Sequence, residues 1–363
     1  MPKGDDVTAR RFTFERYLNV RAAYGPSFSP DGRRLCFLSN ITGMAEVWSV
    51  PVDVHAPVPA WPQQLTFTGD RVLGASYAPS ADLLIAGADL GGNERTQLYR
   101  LSPDGATFAP LTAQPEVIYQ FGGWQEDGTH SSGWSPDGTR ITYSSNERDP
   151  RFFDVYERPI AGGDPRLLLR HDSTNYSAGY APDGRAVLVQ RQRSNVSNQL
   201  LLVDVRSGEV RALTPASDER PALHSAAQWS ADGQGLYLLS NRGRQFMALV
   251  WLNLATGELT YLRDEPWDAE GLALSRDGQR LALTTNEDGY SRLELFDIAQ
   301  GWERRQPLPV PTLPRGVVFG LEWSPDGTQL AFTLDRADDA RQRRHGQRLA
   351  PLPPLSDVKE LQP

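Results

Sequence analysis

Ser27-Phe28-Ser29-Pro30-Asp31-Gly32, followed by the run Leu35-Cys36-Phe37-Leu38-Ser39-Asn40, is the stretch that decides the fold. Ser at the first turn position, Pro at the second and Gly at the fourth suit a type I turn, because Pro presets φ and Gly tolerates the exit. Such a turn closes a tight hairpin. The run behind it reads as a second strand, Val47 to Val50 as a third, and Leu65-Thr66 as a short fourth.

The unit repeats. Its turn returns as the degenerate Ala78-Pro79-Ser80-Ala81, then as Ser135-Pro136-Asp137-Gly138, Ala181-Pro182-Asp183-Gly184, Ser230-Ala231-Asp232-Gly233, Ser275-Arg276-Asp277-Gly278 and Ser324-Pro325-Asp326-Gly327. Each turn leads into an apolar run such as Ile141 to Asn146 or Leu281 to Asn286. Four short strands per unit make the blade of a β-propeller. A blade has two apolar faces and cannot bury both alone, so blades stack around a central channel. The fold expected is therefore all-β, a seven-bladed β-propeller with TolB-like repeats, its last blade incomplete. The propeller is placed at residues 26–335, after an N-terminal extension at 1–25 in which Phe12 to Leu18 reads either as a strand completing the ring or as a short helix packed on it.

Two places break the pattern. Successive turns lie 45 to 49 residues apart, except that the second and third are separated by 57. There Gly123-Trp124-Gln125-Glu126-Asp127-Gly128-Thr129 is echoed by Gly133-Trp134-Ser135-Pro136-Asp137-Gly138-Thr139, a local duplication that inserts an extra loop. After Leu334-Asp335 the pattern stops. Residues 336–363 are basic and Pro-rich and show neither strand nor helix period, so they read as an irregular, solvated tail. So abrupt a loss is what truncation or a frameshift near Arg336 would produce, leaving the last blade with about two strands.

Composition narrows the function classes. The net charge of −8 gives nucleic acid no electrostatic footprint. No stretch approaches a membrane span, and the first residues lack the apolar core of a secretory signal, so the expected location is cytoplasmic. The single cysteine, Cys36, sits in an apolar run and reads as a buried structural thiol. No cofactor or metal site is expected, since the histidines are scattered and no phosphate loop is present. A serine hydrolase of the α/β type needs a Gly-x-Ser-x-Gly elbow. The nearest strings, Gly25-Pro26-Ser27-Phe28-Ser29 and Gly74-Ala75-Ser76-Tyr77-Ala78, both fail at the last position. No catalytic residue is assigned.

Two loop strings are more polar than a blade needs, Asp89-Leu90-Gly91-Gly92-Asn93-Glu94-Arg95 and Ser145-Asn146-Glu147-Arg148-Asp149. Both fall between second and third strands, which puts them on one face of the disc. With Phe37-Leu38-Ser39-Asn40, Phe153-Asp154-Val155-Tyr156, Trp267-Asp268-Ala269-Glu270 and Asn286-Glu287-Asp288-Gly289-Tyr290, they form an ordered set of blade-specific strings. By these strings the chain resembles the propeller of the prolyl oligopeptidase family of serine peptidases, in its acylaminoacyl-peptidase-like and dipeptidyl-peptidase-like branch, from Phe12 to about Asp335. The resemblance implies a non-catalytic domain that covers the active site of an α/β-hydrolase domain and admits short peptides. None of the triad residues has a counterpart here. On this reading Glu94, Arg95 and Arg148 are the candidates for contact with substrate or with the hydrolase domain, and the partners are peptides or that domain, not nucleic acid or membrane. Two alternatives stay open: a stand-alone TolB-like propeller that binds a protein or peptide, and a propeller enzyme with a channel site of its own.

Overall fold

In the computed structural model, residues 20–53, 58, 60–122, 133–216, 221–336 and 350–351 are described. The repeated turn is built the same way wherever its serine is present. In the first copy the Ser29 hydroxyl donates to Asp31 Oδ1 at 2.6 Å and accepts the Arg34 N–H at 2.9 Å, while Asp31 Oδ1 also accepts the Arg33 N–H at 3.0 Å. Gly32 N–H donates to the Ser29 carbonyl at 2.8 Å and sits at φ +71, the left-handed region that Gly enters without a Cβ penalty. The same Ser–Asp bond recurs at 2.5 to 2.6 Å in the turns beginning at Ser135, Ser230, Ser275 and Ser324.

Each turn joins the innermost strand of a sheet to the second. The first sheet runs outward as Ala23–Phe28, Arg34–Ser39, Glu46–Pro51 and Gln63–Gln64, so its inner strand starts inside the segment read as an extension. The innermost strands that follow are Arg71–Tyr77, Tyr119–Phe121, Asn175–Tyr180, His224–Trp229, Ala269–Leu274 and Val317–Trp323. Six sheets have four antiparallel strands, so the expected seven blades become six complete ones and a final incomplete sheet. That last sheet holds Val317–Trp323, Gln329–Asp335 and Ala350–Pro351. Its third strand comes from the segment read as an irregular tail. It pairs over two positions only, Gln329 with Pro351 and Leu330 with Ala350, and Pro351 has no N–H to extend the ladder. The Phe12 to Leu18 segment and most of the tail lie outside the described residues.

The second strands are apolar at consecutive positions because both of their faces are buried. In the first blade Cys36 and Leu38 pack with Val72, Tyr77 and Leu84 of the second, while the preceding Leu35 packs with Ala331 of the last sheet. The second blade repeats this, with Leu84 and Ala86 facing back and Ile85 facing the third blade beside Phe121 and Ile141. Period-two side chains thus feed two interfaces at once, each fully buried Leu or Ile contributing about 2 kcal/mol. Contact between Leu35, Phe28 and Ala331 closes the ring between its first and last sheets.

Six of the seven inner strands carry a bulge, for example between Tyr24 and Ser27 and between Phe319 and Glu322. In the third blade that position holds the insertion. Phe121 pairs with Tyr143 and Trp134 with Ile141, so the two pairs are thirteen positions apart on the inner strand but two apart on its partner. The described ends meet one residue: Gly122 N–H donates to the Thr142 carbonyl, and Thr142 N–H donates to the Gly133 carbonyl at 2.7 Å. Residues 123–132, which hold the first copy of the duplication, lie outside the described ones.

Removing the turn serine should weaken the blade. Ser135→Ala deletes the donor to Asp137 and the acceptor for the Arg140 N–H. The expected cost is about 1 kcal/mol, which in a chain of this size lowers the melting temperature by about 2 °C. A scan showing no decrease would mean that the neighbouring turns hold this one without its serine.

Candidate functional site

The inner strands enclose a central cavity of about 1180 Å³. Its two ends differ. At one end the repeated turns converge, and Arg276 of the sixth blade reaches across to donate to the Pro79 carbonyl of the second at 3.1 Å. At the other end the inner strands begin, and the Asp268 and Glu270 side chains stand at the mouth. Asp268 accepts the Met247 N–H at 2.8 Å, and Glu270 accepts from Asn286 Nδ2 at 2.7 Å.

Two ionisable groups in the wall are strongly perturbed. Glu322 lies between Leu321 and Trp323 at the bulge of the last inner strand. It is partly exposed to the channel and otherwise enclosed by protein, and loss of bulk hydration pushes its carboxyl up to about 8. It makes no hydrogen bond or ion pair among the described residues. His224 opens the inner strand of the fifth blade and is 2% exposed. Burial, and then the Arg242 charge, hold its imidazole down to about 4, so it is neutral at ordinary pH, and its Nδ1 has no partner among the described residues. Asn198 clamps it from the fourth blade: Asn198 Nδ2 donates to the His224 carbonyl and His224 N–H donates to Asn198 Oδ1, both at 2.9 Å.

The sequence singled out neither residue. Glu322 alternates with apolar neighbours in Phe319-Gly320-Leu321-Glu322-Trp323, a pattern that also fits a solvent-facing position. Only the placement of that strand innermost turns its polar side toward the channel.

The residues the sequence did single out lie on the loop face, around the mouth. Glu94 is exposed in the loop after the second blade's second strand, at φ +59, a left-handed conformation held by its own N–H donating to Asp89 Oδ2 at 3.0 Å. Arg95 follows it, half-buried. Their side chains make no hydrogen bond or ion pair among the described residues. Arg148 is different. It donates to both carboxylate oxygens of the fully buried Asp154, at 2.5 and 3.2 Å, and pairs with Asp172 at 3.0 Å. The hydrogen bond to Asp154 raises its already high pKa further. The two loops are joined through the segment between them: Asn93 Nδ2 donates to the Pro115 carbonyl at 3.5 Å, and Gln114 Nε2 donates to Glu147 Oε1 at 2.8 Å.

The same face carries the apolar exposure. Of twelve exposed large apolar residues among those described, eight lie on it, including Ile41, Met44, Phe67, Leu90, Trp267 and Tyr290. These six belong to blades 1, 2 and 6 or the loops entering them, and exposed Val317 of the last sheet stands between blades 6 and 1, so together they form one arc. Phe67 is 78% exposed. An apolar group so placed marks a surface that another body covers.

Catalytic arrangements are sparse. Ser27 Oγ accepts the Tyr77 N–H at 3.1 Å, and Ser76 Oγ donates to the Tyr77 carbonyl at 3.4 Å, so both serines of the near-miss strings serve the inner strands. His171 Nδ1 meets Ser173 Oγ at 3.0 Å within one loop, and no carboxylate bonds the other ring nitrogen among the described residues. Cys36 is free and buried, and burial raises its thiol. Among the described residues no three His, Cys, Asp or Glu side chains group to hold a metal, and no helix is long and apolar enough to cross a membrane.

Known proteins share this architecture. Dipeptidyl aminopeptidase BIII of Pseudoxanthomonas mexicana is 29% identical over 243 residues, which is 65% of this chain and 32% of the relative. The chain thus spans about a third of that relative's length. A structure from a structural and mechanistic analysis of two prolyl endopeptidases superimposes with a TM-score of 0.66 at 12% identity, covering 87% of this chain and 46% of the other. An oligogalacturonate lyase in complex with manganese also gives 0.66, at 16% identity, over 92% of this chain and 90% of the lyase. At such identities the two structures establish the propeller fold alone. No family model matches the chain.

Two measurements probe these sites. Glu322 has a folded pKa above its unfolded value of about 4.3. Its contribution to stability is therefore complete at low pH, begins to fall as pH passes the unfolded value, and is lost as pH rises through about 8. Glu322→Gln cannot ionise, so its melting temperature should match the parent near the unfolded pKa and exceed it increasingly toward alkaline pH. A gap that stays constant with pH would show that the carboxyl ionises normally. Arg148→Ala leaves the Asp154 carboxylate buried without its cation, so the midpoint of denaturant unfolding should fall. An unchanged midpoint would show that the His171 N–H, which donates to Asp154 Oδ1 at 3.1 Å, holds that carboxylate by itself.

Proposed function

We propose that this propeller, which is of the prolyl oligopeptidase type, docks its loop face against an α/β-hydrolase domain and filters the peptides that reach the hydrolase active site. The observation that carries this reading is the arc of exposed apolar side chains on the loop face, beside the mouth of the channel. A hydrolase domain is the occupant whose chemistry fits, since the curated relative is a peptidase about three times the length of the matched segment. Glu94 and Arg95, exposed or half-exposed and unpaired among the described residues, then serve as polar contacts at the edge of that interface. Arg148 acts differently: tied to Asp154 and Asp172, it shapes its loop and leaves less of its charge for a partner.

Filtering follows from shape. A peptide chain fits a cavity of about 1180 Å³, whereas a folded protein does not. On this reading hydrolysis belongs to the docked domain, which supplies the nucleophile, base and oxyanion donors.

The test begins at the gene. Translation of all frames downstream of the last codon is expected to yield a Gly-x-Ser-x-Gly domain. Purified together with that domain, the chain should leave cleavage of a dipeptide nitroanilide unchanged and slow cleavage of unfolded casein. Phe67→Asp with Trp267→Asp should separate the two on a sizing column and restore casein cleavage. Absence of any hydrolase that co-purifies, or equal cleavage of casein with and without the propeller, would overturn the proposal in favour of a free-standing propeller.

A further inference from the structure

We propose that the channel contains a binding site for an organic cation, an ammonium or guanidinium group, with Glu322 as its counter-charge. The site rests on the channel's own geometry and does not require a docked hydrolase.

The first observation is a contrast among carboxylates. The other enclosed acidic side chains among the described residues are paired. Glu46 accepts from the hydroxyls of Thr66 and Thr68 and from the Gly69 N–H. Asp154 is held by Arg148, and Glu157 by Arg166 at 2.7 Å and by the Tyr180 hydroxyl at 2.9 Å. Pairing is the rule because an enclosed charge without compensation is costly. Glu322 alone in this set is enclosed and has no partner among the described residues, and its neighbours Leu321 and Trp323 line the same cavity. An acceptor left open in a cavity wall is completed by what enters the cavity.

The second observation is the sign of the field. The charged side chains described in the lining are Asp268, Glu270 and Glu322 against Arg276. Arg276 stands at the turn end and is engaged with Pro79. A cation entering at the loop mouth therefore passes Asp268 and Glu270 before it reaches Glu322 near the turn end, where the guanidinium of Arg276 is engaged with the Pro79 carbonyl. An anion meets the reverse.

The third observation is the rest of the wall. The side-chain amides of Gln190 and Gln228 line the cavity and make no hydrogen bond among the described residues. His224 lines it too, neutral, 2% exposed and with Nδ1 unpartnered. These groups are suited to a neutral polar body attached to the cationic head. The volume is much greater than a bare cation needs, so the class of ligand is a small organic molecule or a peptide end with one positive group.

Equilibrium binding by calorimetry tests this with two probes of equal shape, n-butylguanidinium and neutral n-butylurea. At about pH 9 the Glu322 carboxyl is ionised and the guanidinium remains protonated. The cation should bind saturably with one site per chain, and the urea on the order of tenfold more weakly or worse. Glu322→Gln should abolish that preference, while Glu270→Gln at the mouth should reduce it less. Near-ultraviolet circular dichroism confirms that the variant is folded; if it is not, Glu322→Asp, with the carboxylate withdrawn by one methylene, should bind the cation more weakly than the parent. Equal binding of the two probes, no saturable binding of the cation, or a preference that survives Glu322→Gln would overturn the proposal. None of these outcomes involves a hydrolase, so failure here leaves the docking proposal standing.

Discussion

The hydrogen bond from a turn serine to a turn aspartate, repeated around the ring, is the interaction on which the rest of this structure depends. It fixes the direction in which the chain enters each second strand, and it fixes where the fourth turn residue lies. That residue then meets the turn before it. A Cβ at Gly32 would stand 3.5 Å from Pro325, one at Gly327 3.4 Å from Ser275, and one at Gly233 3.9 Å from Pro182. The Gly32 contact joins the first blade to the last, so the interlocking turns encircle the channel. In Asp137 the serine hydroxyl, then the Thr139 N–H, hold the carboxyl down to about 2, which keeps the acceptor charged wherever the protein is folded.

A face committed to this interlock has little freedom left for recognition. Its positions are occupied by residues chosen for φ, for capping and for close approach. The opposite face has no such repeat. Its loops differ in length and composition from blade to blade, and there the exposed apolar side chains, Glu94 and Arg95 and the acidic channel mouth occur together. The division between a structural face and a recognition face follows from the turn chemistry, without a separate assumption about function.

The fold was legible in the sequence because the turn combines a rare residue order with a regular spacing. Spacing mattered as much as order. Ser102-Pro103-Asp104-Gly105 makes the same bonds, Ser102 Oγ to Asp104 Oδ1 at 2.6 Å, yet it joins the third and fourth strands of the second blade and only its interval reveals that. The strand at Ala350–Pro351 was not legible, since two residues beside prolines carry no alternation. Neither was the Asp154 partner of Arg148, because the charge is local in sequence but the pairing arises from a bulged hairpin. The channel residues were least legible. A carboxylate at every second position of a strand looks the same whether that strand lies at the rim or at the axis of the ring.

Glu322 shows what that ambiguity conceals. At the rim it would be an ordinary hydrated carboxylate and would cost the fold nothing. At the axis it loses hydration without gaining a partner among the described residues, and the fold carries a destabilising group whose neutral isostere fits the same space. Buried acids elsewhere in the ring demonstrate that this scaffold readily supplies hydroxyls, amides or guanidinium groups to a carboxylate. Their absence around Glu322, in a wall that faces a roomy and negatively biased cavity, is therefore better explained by what the channel takes up than by what the blade requires.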